Sequence, residues 1–198
     1  MAGSDRHVAL CLVAFVLICC VPGALAQIAA PNEWRSVSYA DLQLPGPTTT
    51  SFAALWADEI TRNNAAYRKR GDRRFLAGNA PATESHFVIR SPVKTVVLSV
   101  LNTATACRHI ATDGVGRATL KRCPMRLAVY QANRSAILNA GTGCFIEYAA
   151  VETGSSRDPA RNASYAAYDK DTRTIRTGLF FAGQPADDCI TRIPLPQG

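Results

Sequence analysis

Between Thr50 and Arg70 the apolar residues Phe52, Leu55, Trp56, Ile60 and Tyr67 recur at three-, four- and seven-residue steps, while Asp58, Glu59, Arg62, Asn63 and Arg68 take the other positions. That period is the mark of an amphipathic helix. It predicts one helix from about 51 to 69, with Thr50 or Ser51 as its cap. The charges run from Asp58 and Glu59 towards Arg68 and Lys69, the direction that complements the helix dipole, and Gly71 is placed to end it.

Beyond Gly78 the apolar runs shorten and fill with β-branched and aromatic residues: Phe87 to Ile89, Val96 to Leu101, Leu127 to Tyr130, Phe145 to Tyr148 and Leu179 to Phe181. These are strand signals. The run from Val96 to Leu101 is apolar almost throughout, which predicts a strand covered on both faces. Ile175, Thr177, Leu179 and Phe181 instead alternate with Thr174, Arg176, Gly178 and Phe180, predicting one buried and one wetter face. Asp169-Lys170-Asp171-Thr172 is placed to turn a hairpin between Tyr165–Tyr168 and Arg173–Phe181. The expected fold is α+β, with one N-terminal helix packed on a mostly antiparallel β-sheet or small sandwich.

Residues 1–26 have the three parts of a secretory signal: a polar start with Arg6 and His7, an apolar run from Val8 to Val21, and Ala24-Leu25-Ala26 before Gln27. The run is well short of the roughly 20 residues needed to span a bilayer. The expected organisation is therefore a signal peptide over 1–26, an extended lead-in over 27–50 anchored by Trp34 and Tyr39, and a single domain over 51–198. The protein is expected in a periplasm or outside the cell, with no transmembrane segment after cleavage.

Export changes the meaning of the cysteines. Cys11, Cys19 and Cys20 would leave with the signal, and Cys107, Cys123, Cys144 and Cys189 form an even set in an oxidising compartment, which predicts two disulfides. If Met125–Gln131 and Phe145–Val151 pair as neighbouring strands, Cys123 and Cys144 fall at opposite ends of the ladder, too far apart to bridge. Two pairings remain, and Cys107 with Cys123 and Cys144 with Cys189 are the expected pairs, because the first staples a long loop locally. A metal site of Cys107, His109, Cys123 and Cys144 is the alternative, but its spacings fit no zinc pattern. No metal and no cofactor are expected.

The formal net charge of +7 is unevenly spread. Residues 62–126 hold thirteen basic and three acidic side chains, an excess of +10, whereas 27–61 carry −3 and 127–198 are neutral. Arg68, Lys69, Arg70, Arg73 and Arg74 form one cluster, and Arg108, Arg117, Lys121, Arg122 and Arg126 a second. Such a field attracts anions. The partners expected are an anionic envelope surface, a polyanion or an acidic protein face. Specific nucleic-acid reading is not expected, because no aromatic stacking series interleaves the arginines.

Candidate chemistry is sparse. Gly114-Val115-Gly116, in what reads as a long loop between Cys107 and Cys123, could present backbone N–H groups to an anion. It fails as a dinucleotide fingerprint, since Thr119 stands at the third glycine. His86 and His109 are the available imidazoles after signal removal, and no motif joins either to a nucleophile. Asn133-Arg-Ser135 and Asn162-Ala-Ser164 are formal glycosylation sequons. The function expected is an exported binding or envelope-associated module with a basic, anion-attracting face. The alternatives are a small periplasmic hydrolase using His109 or His86, and a structural or assembly subunit.

Overall fold

The computed structural model describes residues 34–43, 46, 49–71, 78–115, 117–132, 134–149 and 160–196. The expected signal segment and its cleavage site lie outside them, as do Arg73, Arg74, Gly116 and Asn133. The described chain is mostly antiparallel β-structure with few helices and two disulfides. Its elements are β1 (Arg35–Ser36), β2 (Ser38–Asp41), α1 (Thr50–Leu55), α2 (Ala57–Lys69), β3 (Ala82–Arg90), β4 (Thr95–Thr103), β5 (Arg108–Thr112), β6 (Ala118–Gln131) and β7 (Arg134–Tyr148). They continue with β8 (Ala163–Asp169), β9 (Thr174–Phe181), β10 (Gln184–Pro185), a 3-10 turn (Asp187–Cys189) and β11 (Thr191–Pro194).

Two sheets result. The first has the order β1-β8-β9-β10, with β11 also on β9; the second runs β2-β3-β4-β6-β5, with β7 on β6. β4 and β5 occupy successive stretches of one edge of β6, while β7 lines the other edge. β1 and β2, inside the expected lead-in, stitch the sheets together: Arg35 pairs with Ala166 of β8, and Ser38 with His86 of β3.

Phe87, Leu98, Met125, Leu127 and Phe145 meet Ala166, Ile175 and Ile193 between the sheets. Each large apolar side chain buried there contributes about 1.5–3 kcal/mol. β4 is buried at every position from Val96 to Thr103, because its other face carries Val97 and Leu101 into a second cluster with Leu42, Leu55, Trp56 and Ile60. β9 keeps its predicted alternation, with Ile175, Leu179 and Phe181 buried.

The single helix expected over 51–69 is two helices. Trp56, at φ −114° and ψ 18°, separates them. The indole N–H of Trp56 donates to Ser99 Oγ at 2.9 Å, and Arg126 Nη1 donates to the Leu55 carbonyl at 2.6 Å, so tertiary partners claim the backbone and side chain at the break. Neither Thr50 nor Ser51 caps the first helix; Thr49 occupies that position, and its hydroxyl oxygen accepts from the Gly46 N–H at 2.7 Å instead. Gly71 does end α2, at φ +75°.

The expected cysteine pairs are formed, but the geometry offered for them is not the one present. β6 and β7 make one long hairpin in which Cys123 stands opposite Gly143 and Arg122 opposite Cys144. Cys123 and Cys144 are thus near neighbours in register, and strand alternation aims their sulfurs at opposite faces. Cys123 sits in the cluster between the sheets and Cys144 packs against a smaller one with Leu120, Ile146 and Leu179. The hairpin outruns the apolar runs because the polar residues Arg134, Ser135, Asn139 and Thr142 continue β7. A bulge, with Ala140 and Gly141 of β7 opposing Met125 alone of β6, is absorbed at Gly141, φ +83°.

Candidate functional site

The basic clusters divide between exposed and engaged side chains. Arg68, Lys69 and Arg70 are exposed on the last turn of α2, where cations suit the helix dipole. The Arg70 guanidinium lies 5.6 Å from the Tyr67 ring centre. α2 is held to the turn before β5 by Thr105 Oγ1, which donates to Asn63 Oδ1 at 3.3 Å. Arg108 follows that turn by three residues, and Arg68 follows Asn63 by five. The Asn63–Thr105 contact thus ties the middle of α2 to the turn that leads into β5. Arg117 is exposed in the turn between β5 and β6.

Lys121 and Arg122 are half-buried and have internal partners. The Lys121 ammonium contacts Glu147 Oε2 at 2.6 Å and Asn102 Oδ1 at 3.2 Å, and Arg122 Nη2 donates to the Asp188 carbonyl at 3.0 Å. Arg122 also stands directly opposite Arg108 in the β5–β6 ladder. Like charges in that arrangement repel unless something anionic lies nearby.

Among the described residues, Glu147, Asp113 and Asp58 have internal partners. Burial raises the Glu147 carboxyl, but hydrogen bonds from Lys121 and Asn102 outweigh it and hold it below its ordinary value. Asp113 behaves alike: burial raises it, and the backbone N–H groups of Ala118 and Arg117 with the Asn162 amide bring it lower. Arg126 holds Asp58 down to about 2 by direct hydrogen bonding. Asp58 receives both Nη groups of Arg126 at 2.7 Å.

These contacts settle several sequence expectations. The segment between Cys107 and Cys123 is not a long loop but the tight hairpin β5–β6. Asp113 Oδ1 accepts the Arg117 N–H at 2.7 Å, so a carboxylate of the chain itself sits at the turn that holds Gly114 and Val115. Asn162 is buried, donating to Asp113 Oδ2 at 3.2 Å and accepting from Ala182 N–H at 3.0 Å, which removes it as a glycosylation acceptor. The disulfides use Cys107, Cys123 and Cys144, the three cysteines of the metal alternative.

The hydrolase candidates stand apart. His109 is exposed, with Nε2 3.1 Å from Thr112 Oγ1. His86 Nδ1 lies 2.6 Å from Glu84 Oε1, and the opposite carboxylate oxygen of Glu84 accepts the Ser99 hydroxyl at 2.7 Å. The carboxylate thus separates hydroxyl and imidazole, the reverse of the order in which an imidazole could take a serine proton. Ser99 and Glu84 are both fully buried. Sequence reasoning missed this network, because nothing in the spacing of Trp56, Glu84 and Ser99 signals that they meet. The pocket between the sheets, lined by Val100, Met125, Gly143 and Ala166, is about 30 Å3, room for one or two waters.

Comparison with known protein families, with curated proteins and with solved structures finds no match. Among the described residues no helix is long and apolar enough to cross a membrane.

Proposed function

We propose that the protein is an exported, disulfide-stapled binding module that takes an anionic surface or polyanion at the end shared by α2 and β5. In this reading α1 and α2 dock on the second sheet as one unit and carry Arg68, Lys69 and Arg70 towards the end of β5 that bears Arg108, with Arg117 at the other end of that strand extending the field. The observation that carries it is charge segregation. Those five cations are exposed, while Asp58, Glu84, Asp113 and Glu147 are held by internal partners. The signal-like residues 1–26 and the two disulfides support export. The buried, inverted Ser99–Glu84–His86 order speaks against the hydrolase.

The test is binding to vesicles containing acidic lipid and to a soluble acidic polysaccharide at low and at physiological salt. Binding is expected to fall steeply as the Debye length shrinks from about 30 Å at 0.01 M to about 8 Å at 0.15 M. Changing Arg68, Arg70, Arg108 and Arg117 together to Ser is expected to remove most of it, with stability altered by less than about 0.5 kcal/mol per site. Binding that survives both salt and substitution would overturn the proposal.

A further inference from the structure

β7 is 15 residues long and among the described residues pairs only with β6. Arg134 to Asn139 are all exposed, and Ile137 and Leu138, which alternation turns to opposite faces, are 53% and 40% exposed. Over Arg134–Asn139 this is an edge strand bare on both faces. Proteins blunt such edges with inward-facing charge, proline or a bulge. Here the bulge comes later, near Gly141, and Arg134 is the one ionisable residue between Gln131 and Glu147.

The hairpin loop fixes which backbone groups face outward. Gln131 pairs with Arg134 across a two-residue loop, and such a closing pair is hydrogen-bonded. Hydrogen-bonded and non-hydrogen-bonded pairs then alternate along the ladder. Ala136 and Leu138 bond to β6, and the N–H and C=O groups of Ser135, Ile137 and Asn139 point away from it.

We infer that the occupant of this edge is a second copy of the chain, joined through antiparallel pairing of the two β7 strands about a two-fold axis at Ile137. In this register Ile137 meets its own counterpart, and Ser135 faces Asn139 of the other copy, so the three outward-facing residues on each side bond one another. Ala136 and Leu138 oppose each other on one face, and the two Ile137 side chains cover each other on the other. The segment is neutral apart from Arg134, and the two arginines fall about 20 Å apart, at opposite ends of the new ladder. Isologous pairing of this kind needs one self-complementary surface.

Sedimentation of the purified, disulfide-intact protein over about a thousand-fold concentration range, with amide exchange at both extremes, tests it. The expected result is a monomer–dimer equilibrium in which the amides of Ser135, Ile137 and Asn139 slow with concentration, while those of Ala136 and Leu138 are slow throughout. Ile137→Pro deletes an outward N–H that β6 does not use, and it is expected to weaken the dimer at least about tenfold with the monomer fold retained. Ile137→Lys keeps the N–H but sets two ammonium groups face to face, with the same expected result should the proline variant fail to fold. A monomer at every concentration, with fast amides at the three positions, would overturn the inference and leave the edge to a different partner. A dimer unaffected by either substitution would overturn it too.

Discussion

The two faces of β4 are built differently. Toward the first sheet, Val96, Leu98 and Val100 meet apolar neighbours, and the fit is one of volume. Toward the helices, Val97 and Leu101 share their face with Ser99, which bridges Trp56 to a fully buried Glu84, and His86 stacks on Phe52 with ring centres 4.3 Å apart. The apolar face draws its stability from area removed from water, which is tolerant of where each methyl lies. The polar face adds direction, since a buried carboxylate without its donors costs far more than a small packing fault. One face holds the sheets together; the other decides where the helices sit.

The largest break is expected on the apolar face. Leu98→Ala removes a 2%-exposed side chain from the middle of β4 and is expected to cost about 2–5 kcal/mol in denaturant unfolding. Glu84→Gln keeps the shape but removes the charge that Ser99 and His86 address, with an expected cost of about 1–3 kcal/mol. A cost matching that of Leu98→Ala would mean that direction matters as much as volume.

The smallest effect is expected at the rim of the polar face. Asp58 is held near 2 by Arg126, below its ordinary 3.8, so its contribution to stability is present above about pH 4 and disappears as pH falls towards 2. Its side chain is 51% exposed, which keeps that contribution under about 1 kcal/mol. Unfolding of Asp58→Asn at pH 5 and at pH 2 is expected to show a smaller difference between the two than the parent protein does. An unchanged difference would assign acid sensitivity to other carboxyls held low, among them Asp113, Glu147 and Asp169.

What the sequence disclosed follows the same division. Burial of β4 on both faces, alternation in β9 and the hairpin turn, expected at Asp169–Thr172 and found one residue later at Lys170–Arg173, were legible, because period and turn chemistry are local. The break at Trp56 was not, since helical spacing continues through it and the partners that stop the helix, Ser99 and Arg126, lie more than 40 residues away. The length of β7 escaped notice because its exposed half has too few apolar residues to show a period. Of the candidate anion site, charge was legible and engagement was not. Lys121 and Arg122 look like Arg108 and Arg117 in sequence, and only register shows that Glu147 and the Asp188 carbonyl have claimed them.

Trp56 also gives the molecule an optical property. The chain has two tryptophans. Trp56 is 0% exposed, hydrogen-bonded, and has the Arg126 guanidinium 4.4 Å from its ring centre. Trp34 is half-buried near Gly178, with the Arg176 guanidinium 5.5 Å from its ring. Each fluorophore is attached to a different sheet, so their emission separates events that a global melt merges. Release of the helices moves Trp56 into water and its emission to longer wavelength while Trp34 stays in place, and a chain with Trp34 replaced by Phe reports that release as a single colour.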